Sequence, residues 1–347
     1  MSLNPLSNSK INFLKLSLIT SATCLSAIAL GTASTAQEDS SPKIVSTFLP
    51  VHMFTQAVVG DTGEVDILIS PGMGAHDYQA TPNDAKLLSD ADVLVENGLG
   101  FEAFLSALVA NAGNSNLQQI DASEGIEVLE EEEHDEGEHD EHGHDEHEHD
   151  EHEHDEGEHD EHEHDEHKEE EHGHGHNHEE GNPHVWLDPI LAQQQVENIR
   201  DGLIAISPNN ADSYRTNADA YIQQLQDLDS EFQERLAPVA GCNFITFHDA
   251  FPYLAQRYGL QQEAIVELPE DSITPRDLLR VQEAAKEYEV KALLIEPGFE
   301  DKRIQQISSD LNISLEAIDP IESGETDPQY YFQAMRGNLE ALERACQ

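Results

Sequence analysis

The chain has 347 residues, with 71 acidic against 17 basic side chains and a formal net charge of −54. Nucleic-acid partners need Lys and Arg against phosphate, and an anionic membrane surface repels such a chain, so its charge excludes both. The length accommodates two domains of ordinary size, each able to bury a core.

Residues 1–36 read as a secretory signal. Lys10 and Lys15 precede a mostly apolar, uncharged run, and Ser34-Thr35-Ala36 supplies the small residues of a cleavage site before Gln37. The apolar run is short for a bilayer span, and the polar stretch Gln37–Ser41 follows at once. Cys24 does not suit a lipoprotein signal, because Ser21 stands where an aliphatic residue is usual. The mature chain is therefore expected to be exported. Its two remaining cysteines, Cys242 and Cys346, can pair as a disulfide in that oxidising setting.

Extended runs then alternate with helical ones, the pattern of α/β lobes with parallel sheets. Strands are expected at Lys43–Phe48, Glu64–Ser70 and Asp92–Glu96, and helices at Val51–Val59, Thr81–Asp90 and Phe101–Asn111. Thr81-Pro82-Asn83-Asp84 opens its helix with a capping Thr, a Pro at the first helical position and an acid in the first turn.

The alternation is broken by Glu130–Glu180, 51 residues that include 28 acids and 16 histidines. These are His134, His139, His142, His144, His147, His149, His152, His154, His159, His162, His164, His167, His172, His174, His176 and His178. The segment has no branched aliphatic or aromatic residue, so it cannot bury enough apolar surface to offset its ordering entropy and is expected to be disordered. An acidic solvating run has no need of imidazoles. Their abundance points to a loop that collects several zinc ions weakly and exchangeably. The carboxylates attract cations and favour imidazolium, so occupancy of this loop is expected to fall steeply between about pH 7.5 and 6.

Beyond the insert, Val185–Leu187 is expected to be extended, and Asp188-Pro189 starts a helix. Pro208–Pro238 then keeps apolar residues at helical spacing, long enough at ~1.5 Å per residue to cross two lobes. The second lobe repeats the first. Strands are expected at Asn243–Phe247, Ala264–Glu267, Lys291–Glu296 and Ser314–Asp319. Helices are expected at Asp249–Tyr258, Thr274–Tyr288, Asp301–Leu311 and Asp327–Ala345. The expected fold class is α/β: a lobe at 43–206 carrying the insert 130–180, a linking helix at 207–238, and a lobe at 239–347, with a cleft between the lobes.

Only His52, His76, His184 and His248 lie outside the insert. His76 follows a strand and the glycine-rich turn Pro71–Ala75, His184 sits in Asn182-Pro183-His184-Val185-Trp186, and His248 ends a strand. Ligands bind α/β folds at the carboxyl ends of strands, and neutral imidazole suits zinc. His52 begins a helix and reads as a surface position. A metalloprotease helix motif, a nucleophile elbow and a phosphate-binding loop are all missing.

Three stretches carry a resemblance: PGMGAHDYQATPNDAKLLSDADVLVENGLGFEAF, NPHVWLDP and FITFHDAFPYLAQRYGL. Together, in this order, they resemble the cluster A-I metal-binding receptors of bacterial ABC uptake systems, most of all the periplasmic zinc-binding, ZnuA-like members. The resemblance implies two lobes on a rigid helix, with His76, His184 and His248 as ligands of Zn2+ cargo. Either Asp319 or water would be the fourth ligand. Ala75 removes the acidic ligand that some relatives place before the first His, and the Pro usual at that position is also missing. Trp186 and Tyr78 would shape the pocket mouth. The expected partner is the membrane permease, served by a monomer that is not an enzyme. A manganese or iron receptor, a zinc hydrolase using Glu267 or Glu296 as base, and a zinc buffer acting through the loop are the alternatives.

Overall fold

The computed structural model describes residues 41–74, 76, 78–129, 181–266, 274–298 and 301–347. The signal, the histidine-rich insert and Glu267 lie outside the described residues.

Two four-stranded parallel sheets have the same winding. The first runs in the order β2-β1-β3-β4, from Ile44–Ser46 (β1), Val65–Ile67 (β2), Val93–Glu96 (β3) and Gln118–Asp121 (β4). The second runs β6-β5-β7-β8, from Asn243–His248 (β5), Gln261–Val266 (β6), Ala292–Ile295 (β7) and Ser314–Ala317 (β8). Parallel sheets are covered on both faces, which explains why the central strands read as nearly unbroken apolar runs.

The two-residue period of a strand assigns each side chain to a layer. In the first lobe Ile44, Val93 and Val95 enter one large core, while Val45 and Leu94 join a separate outer cluster with Leu88, Leu105 and Leu108. In the second lobe Phe244, Ala292 and Leu294 enter that same large core, and Ile245, Phe247 and Leu293 face Val281, Ile304 and Ile307 on the outside. The helices supplying these layers are Leu49–Val59 (α1), Pro82–Ser89 (α2), Leu105–Ala112 (α3), Pro189–Ile206 (α4), Ala211–Leu236 (α5), Pro252–Tyr258 (α6), Pro275–Glu287 (α7), Lys302–Leu311 (α8) and Pro328–Cys346 (α9). The 26-residue α5 carries Tyr214, Ala218, Tyr221, Leu225, Leu228 and Phe232 along the shared core, so both lobes are built on one apolar seam.

Several elements differ from expectation. The fourth strand of the first sheet, β4, has a single buried residue, Ile120, and its edge position leaves no period-2 signal. β6 starts three residues early because its polar beginning, Gln261-Gln262-Glu263, lies on a sheet edge. α3 starts at Leu105 instead of Phe101. The buried Glu102 carboxylate accepts from the Asn97 and Gly98 amides and the Thr47 hydroxyl, which fixes residues 101–104 as a turn. Val185–Leu187 is a 3-10 turn instead of an extended piece, and it feeds directly into α4.

Cys242 and Cys346 are joined as a disulfide, with Cα atoms 5.8 Å apart. The bond ties the end of α9 to the residue before β5. A second tie runs from α6 to the start of α4, where Arg257 is ion-paired with the buried Asp188, whose Oδ1 also caps the Ile190 and Leu191 amides.

His52 is buried, with Nδ1 3.0 Å from Ser46 Oγ, so the surface position expected for it is corrected. The reason is that α1 begins at Leu49, ahead of Pro50, which moves His52 inside the first turn and onto the core. Burial pushes its pKa down, with Asp66 partly opposing. A base whose folded pKa is depressed contributes full stability above its unfolded pKa, about 6.5, and loses it as pH falls below that value. His52→Asn is therefore expected to flatten the decline of Tm between pH 7 and 5 relative to wild type; parallel declines would clear His52 of that role.

Candidate metal centre

The strand ends converge on one point. His76 follows the exit of β2, His248 is the last residue of β5, Glu322 follows β8, and His184 opens the 3-10 turn ahead of α4. One ligand atom from each of His76, His184, His248 and Glu322 can be chosen so that all four lie within 4.8 Å of one another. His76 Nε2 is 3.3 Å from His184 Nε2 and 3.4 Å from Glu322 Oε1, and His184 Nε2 is 3.7 Å from that same oxygen. Donors bound tetrahedrally to zinc at ~2.0–2.2 Å lie about 3.3–3.6 Å apart, so these spacings fit one zinc ion.

The protonation states suit a cation. Burial pushes His184 down to about 3, with His76 and His248 reinforcing it and Glu322 opposing, so its imidazole is neutral near pH 7. Burial alone would push the Glu322 carboxyl up, but His184 and His76 hold it well below the usual carboxylate range. Neutral imidazole and ionised carboxylate are the forms that ligate a metal. His248 Nδ1 faces Glu296 Oε1 at 2.5 Å; a carboxylate there accepts Nδ1–H and leaves Nε2 to ligate.

Asp319, expected from the sequence as a fourth ligand, is not part of the four-residue group. Its Oδ1 accepts the Ile321 amide at 2.7 Å, its Oδ2 accepts the Tyr330 hydroxyl at 3.1 Å, and its backbone is clasped on both sides by Asn338. Those bonds shape a turn in which Ile321 has φ 64°, a conformation rare for a β-branched residue. That turn brings Glu322 to the histidines. The sequence signal was two acids within four residues after the last strand, and only the turn decides which of them stands beside the histidines.

Trp186 and Tyr78 do not shape a mouth. Trp186 is fully buried, donates Nε1–H to the Pro320 carbonyl and stands 5.0 Å from the His184 ring, forming a wall of the core. Tyr78 donates its hydroxyl to Asp84, within the capping box of α2. The open side of the site is lined by Gly72, Met73, Gly74, Glu296, Asp319 and Ser323, with His76 and Glu322 the two partly exposed members of the group.

The insert joins the fold beside this site at a closed neck. The Asn182 amide donates to the Leu129 carbonyl at 3.2 Å, and the Tyr253 hydroxyl bridges the Leu129 amide and the Asn182 carbonyl. Gly181 is required there: its φ is 71°, and a Cβ would come within 2.7 Å of the Leu129 carbonyl oxygen.

Two like-wound α/β lobes, one long helix along both, and a half-buried His/Glu group at the strand ends are the features of a metal-binding solute receptor. The chain belongs to the ZnuA family, whose model, described as zinc-uptake complex component A, periplasmic, matches residues 44–345. It is 32% identical over 307 residues to the high-affinity zinc uptake system protein ZnuA of Bacillus subtilis, covering 86% of each chain. It is 30% identical to the zinc-binding lipoprotein AdcA of Streptococcus pneumoniae, covering 95% of this chain but only 60% of AdcA. Among solved structures, Zn(II)-bound AdcA of Streptococcus pneumoniae superposes with a TM-score of 0.68 at 28% identity, covering 88% of this chain and 57% of AdcA. The ZnuA-like domain of that protein, also Zn(II)-bound, gives 0.66 at 27% identity and covers 88% of this chain and 98% of the domain. Among the described residues, no helix is long and apolar enough to cross a membrane.

Proposed function

We propose that this protein is an exported receptor that captures Zn2+ between its lobes and delivers it to an ABC-type permease. His76, His184, His248 and Glu322 are the ligands. The observation that supports this most is the largely buried group of three imidazoles and one carboxylate, whose ligand atoms all lie within 4.8 Å of one another. Nitrogen-rich ligation favours zinc over manganese, which prefers oxygen donors. A hydrolase would need a free base beside the metal, and Glu296 is already engaged with His248 Nδ1. The protein acts as a non-enzymatic monomer without nucleic-acid partners, in the periplasm after signal cleavage at residue 36. Its layout is a lobe at 43–206, a linking helix at 207–238 and a lobe at 239–347. The sixteen histidines of 130–180 collect zinc weakly and exchangeably.

The closed neck makes the test clean, because Leu129 and Gly181 lie side by side and segment 130–180 can be excised without bridging a gap. Zinc-loaded mature protein, with and without 130–180, is dialysed against a moderate chelator. One zinc per chain is expected to remain in both forms. Loss of all zinc from the excised form would shift the function to a buffer working through the histidine segment.

A further inference from the structure

We propose, resting on the cleft as the zinc site, that Asn182 is a positioning residue: its carboxamide sets the tautomer of His184 for zinc and ties that ligand to the second lobe. Asn182 is 2% exposed, and every polar atom it carries is used. Oδ1 accepts the His184 backbone amide at 3.1 Å and faces His184 Nδ1 at 2.9 Å. Nδ2 donates to the Asp249 carbonyl at 2.7 Å and lies 3.3 Å from Asp249 Oδ2.

A side-chain amide is often ambiguous between its two orientations, but here backbone groups settle it. An N–H only donates and a C=O only accepts, so the end facing the His184 amide is oxygen and the end facing the Asp249 carbonyl is nitrogen. His184 Nδ1 therefore faces an acceptor and carries the proton. Nε2 is left with its lone pair, and Nε2 is the atom directed at His76 and Glu322. Nothing else among the described hydrogen bonds of His184 selects that tautomer.

The same amide reaches across the lobes. Asp249 follows His248 directly, so one carboxamide connects the segments that present two ligands. Asn182 is held in turn by Leu129 and Tyr253. Setting His184 and joining the lobes are thus two separable jobs, one done by Oδ1 and one by Nδ2.

The experiment uses the full mature chain with one equivalent of Zn2+, reading tight-site affinity by chelator competition and the Tm of the zinc-free protein. Asn182→Ala removes both jobs. It is expected to weaken zinc about 10- to 100-fold, the usual cost of losing a group that orients a ligand. Asn182→Asp keeps an acceptor for Nδ1–H, loses the donor and faces the Asp249 oxygens. It is expected to recover most of the affinity while its Tm falls at least as far as that of the Ala variant. Wild-type affinity in Asn182→Ala, or an Asn182→Asp as weak as Asn182→Ala, would overturn the assignment. His248→Ala is measured in parallel. If that variant keeps the tight zinc, the cleft itself is not the site; if it loses zinc while Asn182→Ala does not, only the role of Asn182 falls.

Discussion

His248→Ala is expected to weaken tight zinc binding by about two to three orders of magnitude. Four-ligand structural zinc sites bind with roughly 10–16 kcal/mol, so one ligand of four is worth about 2.5–4 kcal/mol, which corresponds to that range. The fold should survive, because His248 ends its strand and its side chain serves the cleft more than the apolar layers. The fourth ligand is decided by a paired comparison. Glu322→Gln removes the anionic donor outright and is expected to weaken zinc more than Asp319→Asn, which loosens only the turn behind it. Titration with a competing chelator at fixed pH ranks the three variants. A reversed order, with Asp319→Asn the weakest binder and Glu322→Gln close to wild type, would restore Asp319 as the ligand.

Removing the disulfide by Cys242→Ser with Cys346→Ser should have the largest effect on stability. The bond joins residues 104 apart in sequence. Constraining a loop of about 100 residues in the unfolded chain is worth about 4.7 kcal/mol on the chain-entropy model, against roughly 2–4 kcal/mol measured for typical bridges. For a domain of this size a loss of about 4 kcal/mol lowers Tm by roughly 10 °C. Urea melts of the two forms under non-oxidising and non-reducing conditions give the difference directly. Equal midpoints would mean that α9 is held by its apolar face alone, through Tyr331, Met335, Leu339 and Leu342.

The parts of this molecule legible in its sequence are those governed by local chemistry. Buried parallel strands reveal themselves as apolar runs, and Thr81-Pro82-Asn83-Asp84 forms the capping box its spacing implies. His76, His184 and His248 could be singled out because so few histidines lie outside the insert, and the structure brings all three together. What stayed hidden depends on long-range partners. β4 and the start of β6 are polar edges whose pairing comes from their neighbours. Glu322 reaches the site only through a left-handed Ile321 held by Asp319, and no spacing rule separates two acids on one turn. His52 looked exposed until the helix start moved two residues upstream.

The seam shared by the lobes bears on how the cargo leaves. Swinging the lobes widely apart would part Phe54 and Trp186 from Tyr331, and Tyr221 from Phe332, returning such large side chains to water. At about 1.5–3 kcal/mol for each large side chain, four such residues match the whole stability margin of a typical domain. A wide hinge opening is therefore costly in this fold. His184 and His248 are sealed in place, whereas His76 and Glu322 are both partly exposed, and His76 follows Gly72 and Gly74, where an added Cβ would touch nothing within 4 Å. The open, glycine-containing stretch before His76 is therefore the part of the site that can move at the least packing cost.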